Sequence, residues 1–139
     1  MFLLDTNVIS ELRKAKTGGA NAGVTTWADG VPAALMFISV ITLHELEHGV
    51  LLAERADPAK GQVLRTWLDH SVVPAFDGRM LAVDGETMLR AASLHVPDPA
   101  PFRDALIGAT GLVRRLTVVT RNVVDFERFH QLRVINPWT

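Results

Sequence analysis

Four acidic residues occupy positions from which their carboxylates could bind divalent cations together. They are Asp5, Glu45, Asp104 and Asp125. Carboxylates packed side by side repel one another, and each raises the pKa of its neighbours unless a cation binds among them. Mg²⁺ and Mn²⁺ prefer such hard oxygen ligands, and ions held in this way activate water and stabilise a leaving oxygen. The four acids therefore predict a metal-dependent hydrolytic site.

Each acid also has an ordinary structural explanation. Asp5 is placed to cap the following helix, and Thr42-x-x-Glu45 matches a capping box, in which the Glu bonds back to the capping residue. Asp104 lies early in a predicted helix, where the helix dipole favours a carboxylate. Asp125 is a typical turn residue. The order of the four acids and their places near strand ends favour a shared site over four separate caps.

A second motif overlaps this set. Residues 44–48 read His-Glu-Leu-Glu-His, which matches the H-E-x-x-H zinc motif of metalloproteases. Zinc would need a third ligand, for which Asp69 and His70 are candidates without a supporting pattern. This alternative leaves three of the four acids unexplained. The other interpretation of His44 and His48 is that they are ordinary residues of a helix surface.

Alternating strands and helices are predicted around these residues. The predicted strands cover 2–5, 35–40, 81–83, 116–120 and 133–135, and the predicted helices cover 43–56, 58–70, 86–94 and 101–115, with helical spacing also at 8–12 and a loop at 14–21. Strands that are apolar throughout and alternate with helices indicate an α/β fold with a central parallel sheet. Ligands bind beyond the carboxyl ends of such strands. We expect one domain over 1–139.

Composition narrows the class of protein. The chain has no cysteine, which excludes disulfides, thiolate metal sites and a cysteine nucleophile. Its net charge is −1, whereas a protein that binds nucleic acid through charge alone is usually more basic. Asp5 places a charge too early for a signal peptide, and the apolar-rich stretch 31–43 is too short to span a bilayer. We expect a cytoplasmic protein without membrane contact.

Four segments together resemble the motifs of the PIN-domain family. They read FLLDTNVISE at 2–11, SVITLHEL at 39–46, RDALIGA at 103–109 and VVTRNVVDF at 118–126, and the closing NPW at 136–138 is also similar to the family. The segments follow the family's order, and their closest resemblance is to the VapC and FitB-like toxins of toxin–antitoxin pairs. Gly108 departs from the alanine of many members, and Gly111 follows it in the same helix. Close packing of that helix would explain both glycines.

The resemblance implies a three-layer PIN-like fold, with a central parallel sheet flanked by helices, and an endoribonuclease that depends on Mg²⁺ or Mn²⁺. It assigns the acidic quartet as metal-binding and catalytic, with Asp5 and Asp104 as inner ligands. The resemblance also assigns a supporting polar shell of Thr6, Asn7, Thr120 and Asn122. Arg103 is a candidate to pair with a site carboxylate, to contact an RNA phosphate or to remain a solvated charge, and Arg121 is a further candidate phosphate contact.

The toxin resemblance also implies partners. We expect a small antitoxin protein that blocks the site, an RNA substrate and a homodimer. The apolar faces of the helices predicted over 43–56 and 58–70 are candidates for these contacts. A non-enzymatic alternative stays open, in which the chain is a PIN module that binds RNA without cleaving it.

Overall fold

A five-stranded parallel sheet forms the centre of the molecule, which we describe from a computed structural model of residues 1–139. The strands are β1 (Phe2–Leu4), β2 (Met36–Ser39), β3 (Met80–Leu81), β4 (Thr117–Val119) and β5 (Val134–Ile135), in the spatial order β3-β2-β1-β4-β5. All four neighbouring pairs are parallel. The predicted α/β class, with helices flanking a parallel sheet, is confirmed.

Seven helices cover the two faces of the sheet. They are α1 (Thr6–Leu12), α2 (Ala22–Asp29), α3 (Val40–Ala56), α4 (Pro58–Trp67), α5 (Val73–Ala75), α6 (Gly85–Ser93) and α7 (Phe102–Arg114). Leu4 faces a core shared with α1 to α4, whereas Leu3 faces Ile107 of α7. Successive residues of a strand point to opposite faces, so the three apolar residues of β1 serve both layers. None of the helices combines the length and apolarity needed to cross a membrane.

Two helix predictions need correction. Helix α3 begins at Val40 rather than Leu43, because the side chain of Ser39 caps it by accepting a hydrogen bond from the Ile41 amide at 3.1 Å. The proposed capping box with Thr42 is therefore wrong, and Glu45 lies inside the helix with its carboxylate available for other contacts. Helix α2 was not predicted. The side chain of Asn21 caps its first turn by accepting hydrogen bonds from the backbone amides of Gly23 and Val24.

The two longest helices on one face form an antiparallel pair. Arg65 of α4 makes a two-pronged ion pair with Glu47 of α3, with N–O distances of 2.6 and 2.7 Å, and a further pair with Glu54 at 3.1 Å. Such bidentate geometry fixes orientation as well as contributing energy. Beyond Trp67 the chain continues through a π-helical turn, Leu68–Val72, so the predicted helix end at residue 70 falls within a longer helical segment.

The glycines of α7 are explained by close packing. A Cβ atom on Gly108 would lie 2.7 Å from Cδ2 of the buried Phe129 ring. A Cβ atom on Gly111 would lie 2.8 Å from Cδ1 of Leu132 and 3.1 Å from Cγ2 of Val118. The 2.7 and 2.8 Å distances are shorter than real Cβ contacts, and the 3.1 Å distance is tighter than most. The absence of a side chain lets α7 approach the sheet and the segment that follows β4, and this approach sets the position of Asp104.

Replacement of Gly108 by alanine tests this packing. We expect Gly108→Ala to lower the free energy of unfolding by about 1–2 kcal/mol, because the overpacking cost exceeds the gain in helix propensity. Gly49→Ala is the matched control, since a Cβ atom there meets nothing within 4 Å in the middle of α3. The control should gain up to about 1 kcal/mol. Urea unfolding of both variants measures the difference, and equal stabilisation by both would contradict the packing argument.

Candidate active site

The four predicted acids converge at the carboxyl edge of the sheet. Asp5 follows β1, Glu45 lies in the second turn of α3 after β2, Asp104 lies in the first turn of α7, and Asp125 ends a 3-10 turn after β4. A cleft of about 580 Å³ opens there and is lined by Glu45, Asp104 and Asp125, with the buried Asp5 beneath it. The acids are far apart in the sequence, and they meet because the carboxyl ends of parallel strands lie at the same edge of the sheet.

The guanidinium group of Arg103 lies at the centre of this cluster. Its Nε and Nη2 donate hydrogen bonds to the two carboxylate oxygens of Glu45 at 2.8 and 2.9 Å. Its Nη1 lies 3.1 Å from Oδ1 of Asp104, and its Nη2 also pairs with Oδ1 of Asp5. Arg103 therefore supplies the positive charge that three adjacent carboxylates require. Of the three roles considered for Arg103, the structure shows the ion pair with the site carboxylates.

Polar side chains fix Asp5 from its other side. The side chain of Asp5 is fully buried, and its Oδ2 accepts a hydrogen bond from the hydroxyl of Thr120 at 2.8 Å. Its Oδ1 accepts a hydrogen bond from the Thr6 amide at 2.8 Å, so Asp5 also caps α1. The hydroxyl of Thr120 in turn accepts from the side-chain amide of Asn7 at 3.2 Å. These bonds hold the carboxylate in one orientation.

Glu45 is held in an ionised state by its neighbours. Burial disfavours its charge, but hydrogen bonds from Arg103 and from the Thr6 hydroxyl, together with the charge of Arg103, outweigh that cost and hold the pKa of Glu45 below its usual range. The Thr6 hydroxyl lies 2.6 Å from Oε1 of Glu45 and 3.1 Å from the hydroxyl of the buried Thr42. Thr42 therefore belongs to the site from inside α3, in a role that the sequence did not indicate.

Asp104 has the opposite electrostatic balance. Burial raises its pKa above the usual range, Arg103 lowers it in part, and the charges of Asp125 and Asp5 raise it further. Asp125 is exposed at the rim of the cleft. Arg103, which is shared with two other acids, therefore compensates only in part for the burial of Asp104.

The predicted polar shell is present with one difference. Thr6 and Thr120 contact carboxylates directly, and Asn7 acts through Thr120. Asn122 contributes its backbone amide, which donates to the Thr120 hydroxyl at 3.0 Å, while its side chain is exposed along the cleft. Arg121 also lines the cleft. Sequence reasoning assigned no role to Ser10, Glu11, Lys14 and Trp138, which line it as well. Ser10 and Glu11 stand in the FLLDTNVISE segment and Trp138 in the NPW segment, whereas Lys14 lies in neither.

Comparison with known proteins places this site in a family. A sequence profile described as the PIN domain matches residues 2–131. The chain belongs to the PIN-domain family. The profile includes all four acids and every residue of the predicted polar shell.

Relatives of this PIN domain match it along its whole length. The VapC ribonuclease Y4jK of Sinorhizobium fredii is 34% identical over 99% of this chain and 98% of the relative. Toxin FitB of Neisseria gonorrhoeae is 35% identical over 99% of both chains. A crystal structure of FitAcB from the same organism has 34% sequence identity and a TM-score of 0.88 over 99% of both chains. The predicted PIN-like fold is confirmed.

The donor set of this PIN domain suits a divalent cation of the Mg²⁺ or Mn²⁺ type. The groups that converge are carboxylates and hydroxyls, which are hard oxygen ligands. The cluster already accommodates a cation, since the guanidinium of Arg103 lies between Asp5, Glu45 and Asp104. With the guanidinium between them, no three acids or histidines are close enough to hold a metal ion together. The chemistry of the donors therefore fits such an ion, while their positions in this arrangement are those of a cluster bridged by Arg103.

The zinc motif of α3 does not form a metal site in this arrangement. His44 and His48 are exposed, with ring centroids 6.4 Å apart, and no third ligand stands with them. Glu45 is directed to Arg103 and Thr6 instead. Asp69, one of the candidate third ligands, is paired with Arg65 at 3.4 Å. The geometry of this PIN domain favours the interpretation of the histidines as helix-surface residues.

Removal of the central cation tests its contribution to stability. In buffer with EDTA at pH 7, we expect Arg103→Gln to lower the free energy of unfolding by about 2 kcal/mol. This loss is smaller than the roughly 3–5 kcal/mol that the removal of one partner of a fully buried ion pair costs, because the Arg103 side chain is 33% exposed. The loss should shrink as the pH falls below about 4. A carboxyl whose pKa is lower in the folded state, such as that of Glu45, stabilises the fold at pH values above its unfolded-state pKa. That stabilisation is lost as the pH falls through the folded-state pKa.

Urea unfolding at pH 7 and at acidic pH measures both effects. Arg90→Gln is the matched control, because Arg90 is exposed on α6 and makes no ion pair. A loss of the same size at both pH values would contradict an electrostatic role for Arg103.

Proposed function

We propose that this PIN domain is an endoribonuclease that hydrolyses RNA phosphodiester bonds and depends on Mg²⁺ or Mn²⁺. The observation that carries the proposal is the convergence of Asp5, Glu45, Asp104 and Asp125 on one cleft around a cation. The similarity to a relative named VapC ribonuclease supports the same substrate class. Structural capping alone would not bring carboxylates from four separate segments to one place.

In this proposal the four acids hold the metal ion. Asp5 and Asp104 are its inner ligands, and Glu45 and Asp125 act through bound water. The bound ion would supply Lewis acidity and a water molecule of lowered pKa. Thr6 and Thr120 orient the carboxylates by hydrogen bonding, which is the usual task of residues behind metal ligands.

Arg103 has two roles in this scheme. In the absence of metal its guanidinium neutralises the acids. When a metal displaces the guanidinium from the acids, its N–H donors are suited to bind an RNA phosphate beside the metal. Arg103 lies in the first turn of α7, next to Asp104, so rotation of its side chain is sufficient for the exchange. The backbone of α7 stays in place.

RNA cleavage tests the proposed reaction. We expect the wild-type chain to cleave single-stranded and structured RNA in Mg²⁺ or Mn²⁺, and EDTA to stop it. Asp5→Asn should reduce the rate about a hundredfold or more, because a central metal ligand loses its charge. Asp77→Asn, at an exposed position outside the cleft, should keep full activity. RNA that is bound but left intact would favour the binding-module alternative, and equal cleavage by Asp5→Asn would contradict the proposal.

Metal affinity tests the competition with Arg103. Titration calorimetry with Mn²⁺ should show that Arg103→Gln binds the ion roughly tenfold or more tightly than the wild type, because a full positive charge no longer opposes it. Arg90→Gln removes the same charge from a helix outside the cleft and should leave the affinity unchanged. Equal or weaker binding by Arg103→Gln would show that Arg103 supports the metal site instead.

We also propose that the chain is the toxin of a toxin–antitoxin pair. Its similarity to Toxin FitB supports this role. The α3–α4 pair leaves Leu51, Leu52 and Val63 more than half exposed, and an apolar surface of this kind suits contact with a small antitoxin or with a second copy in a homodimer. An RNA target also implies action in the cytoplasm.

A further inference from the structure

One wall of the active-site cleft differs chemically from the acidic wall. Trp138 is the single apolar residue among those that line the cleft. The guanidinium carbon of Arg121 lies 5.7 Å from the centroid of the Trp138 ring. Arg121 is exposed and forms no ion pair. Lys14 and Glu11 also line the cleft, but they are paired with each other at 3.1 Å and add little net charge. This wall therefore combines an aromatic face with one unpaired cationic side chain.

The position of Arg121 is fixed relative to the acids. Its backbone amide donates to the side-chain carbonyl of Asn7 at 3.3 Å, and the same Asn7 donates to Thr120, which bonds to Asp5. A chain of three hydrogen bonds therefore connects the backbone of Arg121 to the most buried carboxylate. A group bound at Arg121 would lie at a defined distance from a group bound at the acids.

Trp138 is likewise held in place from both sides. Its ring packs against the large hydrophobic core, and its amide donates to the side chain of Asn136 at 2.9 Å. The next residue, Thr139, exchanges hydrogen bonds with Asn21, the residue that caps α2. The indole is half-buried, so part of its surface remains open to the cleft. A rigid, partly exposed indole loses little entropy when a planar ligand stacks on it.

We propose that Arg121 and Trp138 form a stacking subsite for a base of single-stranded RNA next to the scissile phosphate. The inference rests on the proposed function and adds the residues that would hold a base of its substrate. Unpaired bases stack on aromatic rings and on guanidinium planes, and the neighbouring phosphates bind to cationic side chains. In an A-form duplex the faces of the bases are covered by their neighbours, so a duplex cannot use this wall. The subsite therefore selects unpaired RNA.

A fluorescence titration tests the subsite without any need for cleavage. A fluorescein-labelled single-stranded RNA hexamer in EDTA is titrated with metal-free wild-type protein, and the fluorescence anisotropy of the label reports the binding. We expect a saturable rise in anisotropy, with affinity reduced about tenfold in Trp138→Leu, which keeps apolar bulk but loses the stacking face. Arg121→Gln should weaken binding in the same direction. The same hexamer annealed to its complement should bind more weakly than the single strand.

Controls separate stacking from stability and from net charge. Arg90→Gln removes one positive charge outside the cleft and should bind the hexamer as the wild type does. Circular dichroism checks that each variant is folded, and Arg121→Gln, at an exposed position, provides the test if Trp138→Leu does not fold. In steady-state cleavage with Mg²⁺, both cleft variants should raise KM with little change in kcat.

The outcomes also distinguish the subsite from the proposed reaction. Binding of the hexamer that depends on Trp138 and Arg121, in a protein that cleaves no RNA, would support the subsite and contradict the ribonuclease. Cleavage of RNA by a protein whose hexamer affinity is unchanged in both variants would overturn the subsite alone. Equal affinity for single strand and duplex, or no binding of the hexamer by the wild type, would overturn it as well.

Discussion

The repulsion among the carboxylates at one edge of the sheet is the constraint on which this structure depends. Asp5 is fully buried, and Glu45 and Asp104 lie close enough for one guanidinium to pair with all three carboxylates. Such a cluster is strongly destabilising unless positive charge enters it. Arg103 provides that charge from the same helix turn as Asp104. The protein thus carries its own counter-ion within a site whose chemistry suits an external one.

The order of the strands explains why these groups meet. Strand β1 lies in the middle of the sheet, with β2 on one side and β4 on the other. The residues that leave the carboxyl ends of these three strands supply Asp5, the start of α3 with Glu45, and the segment from Thr120 to Asp125. Helix α7, which packs on one face of the sheet, supplies Asp104 and Arg103. Its glycines permit the close approach that this requires.

Much of this arrangement could be predicted from the sequence, because it depends on local patterns. Apolar strands alternating with helices indicated the parallel sheet, and the acids at strand and helix ends indicated the site. Contacts between distant segments could not be predicted. The position of Thr42 depends on Ser39 capping α3 three residues earlier than expected, and the central place of Arg103 depends on three acids from other elements. Helix α2 was missed although Asn21 caps it and Val24, Trp27 and Ala28 follow helical spacing.

The central position of β1 has a consequence for how the protein is made. Phe2 pairs with Met36 on one side and with Thr117 on the other, so β1 needs a partner that is synthesised more than a hundred residues later. Contacts this distant in sequence form late, because the intervening chain must be ordered first. Asp5 meets Thr120 only after β4 has joined the sheet. A nascent chain therefore lacks its acidic centre until β4 and the segment after it have been synthesised, and a product that terminates before them lacks it altogether.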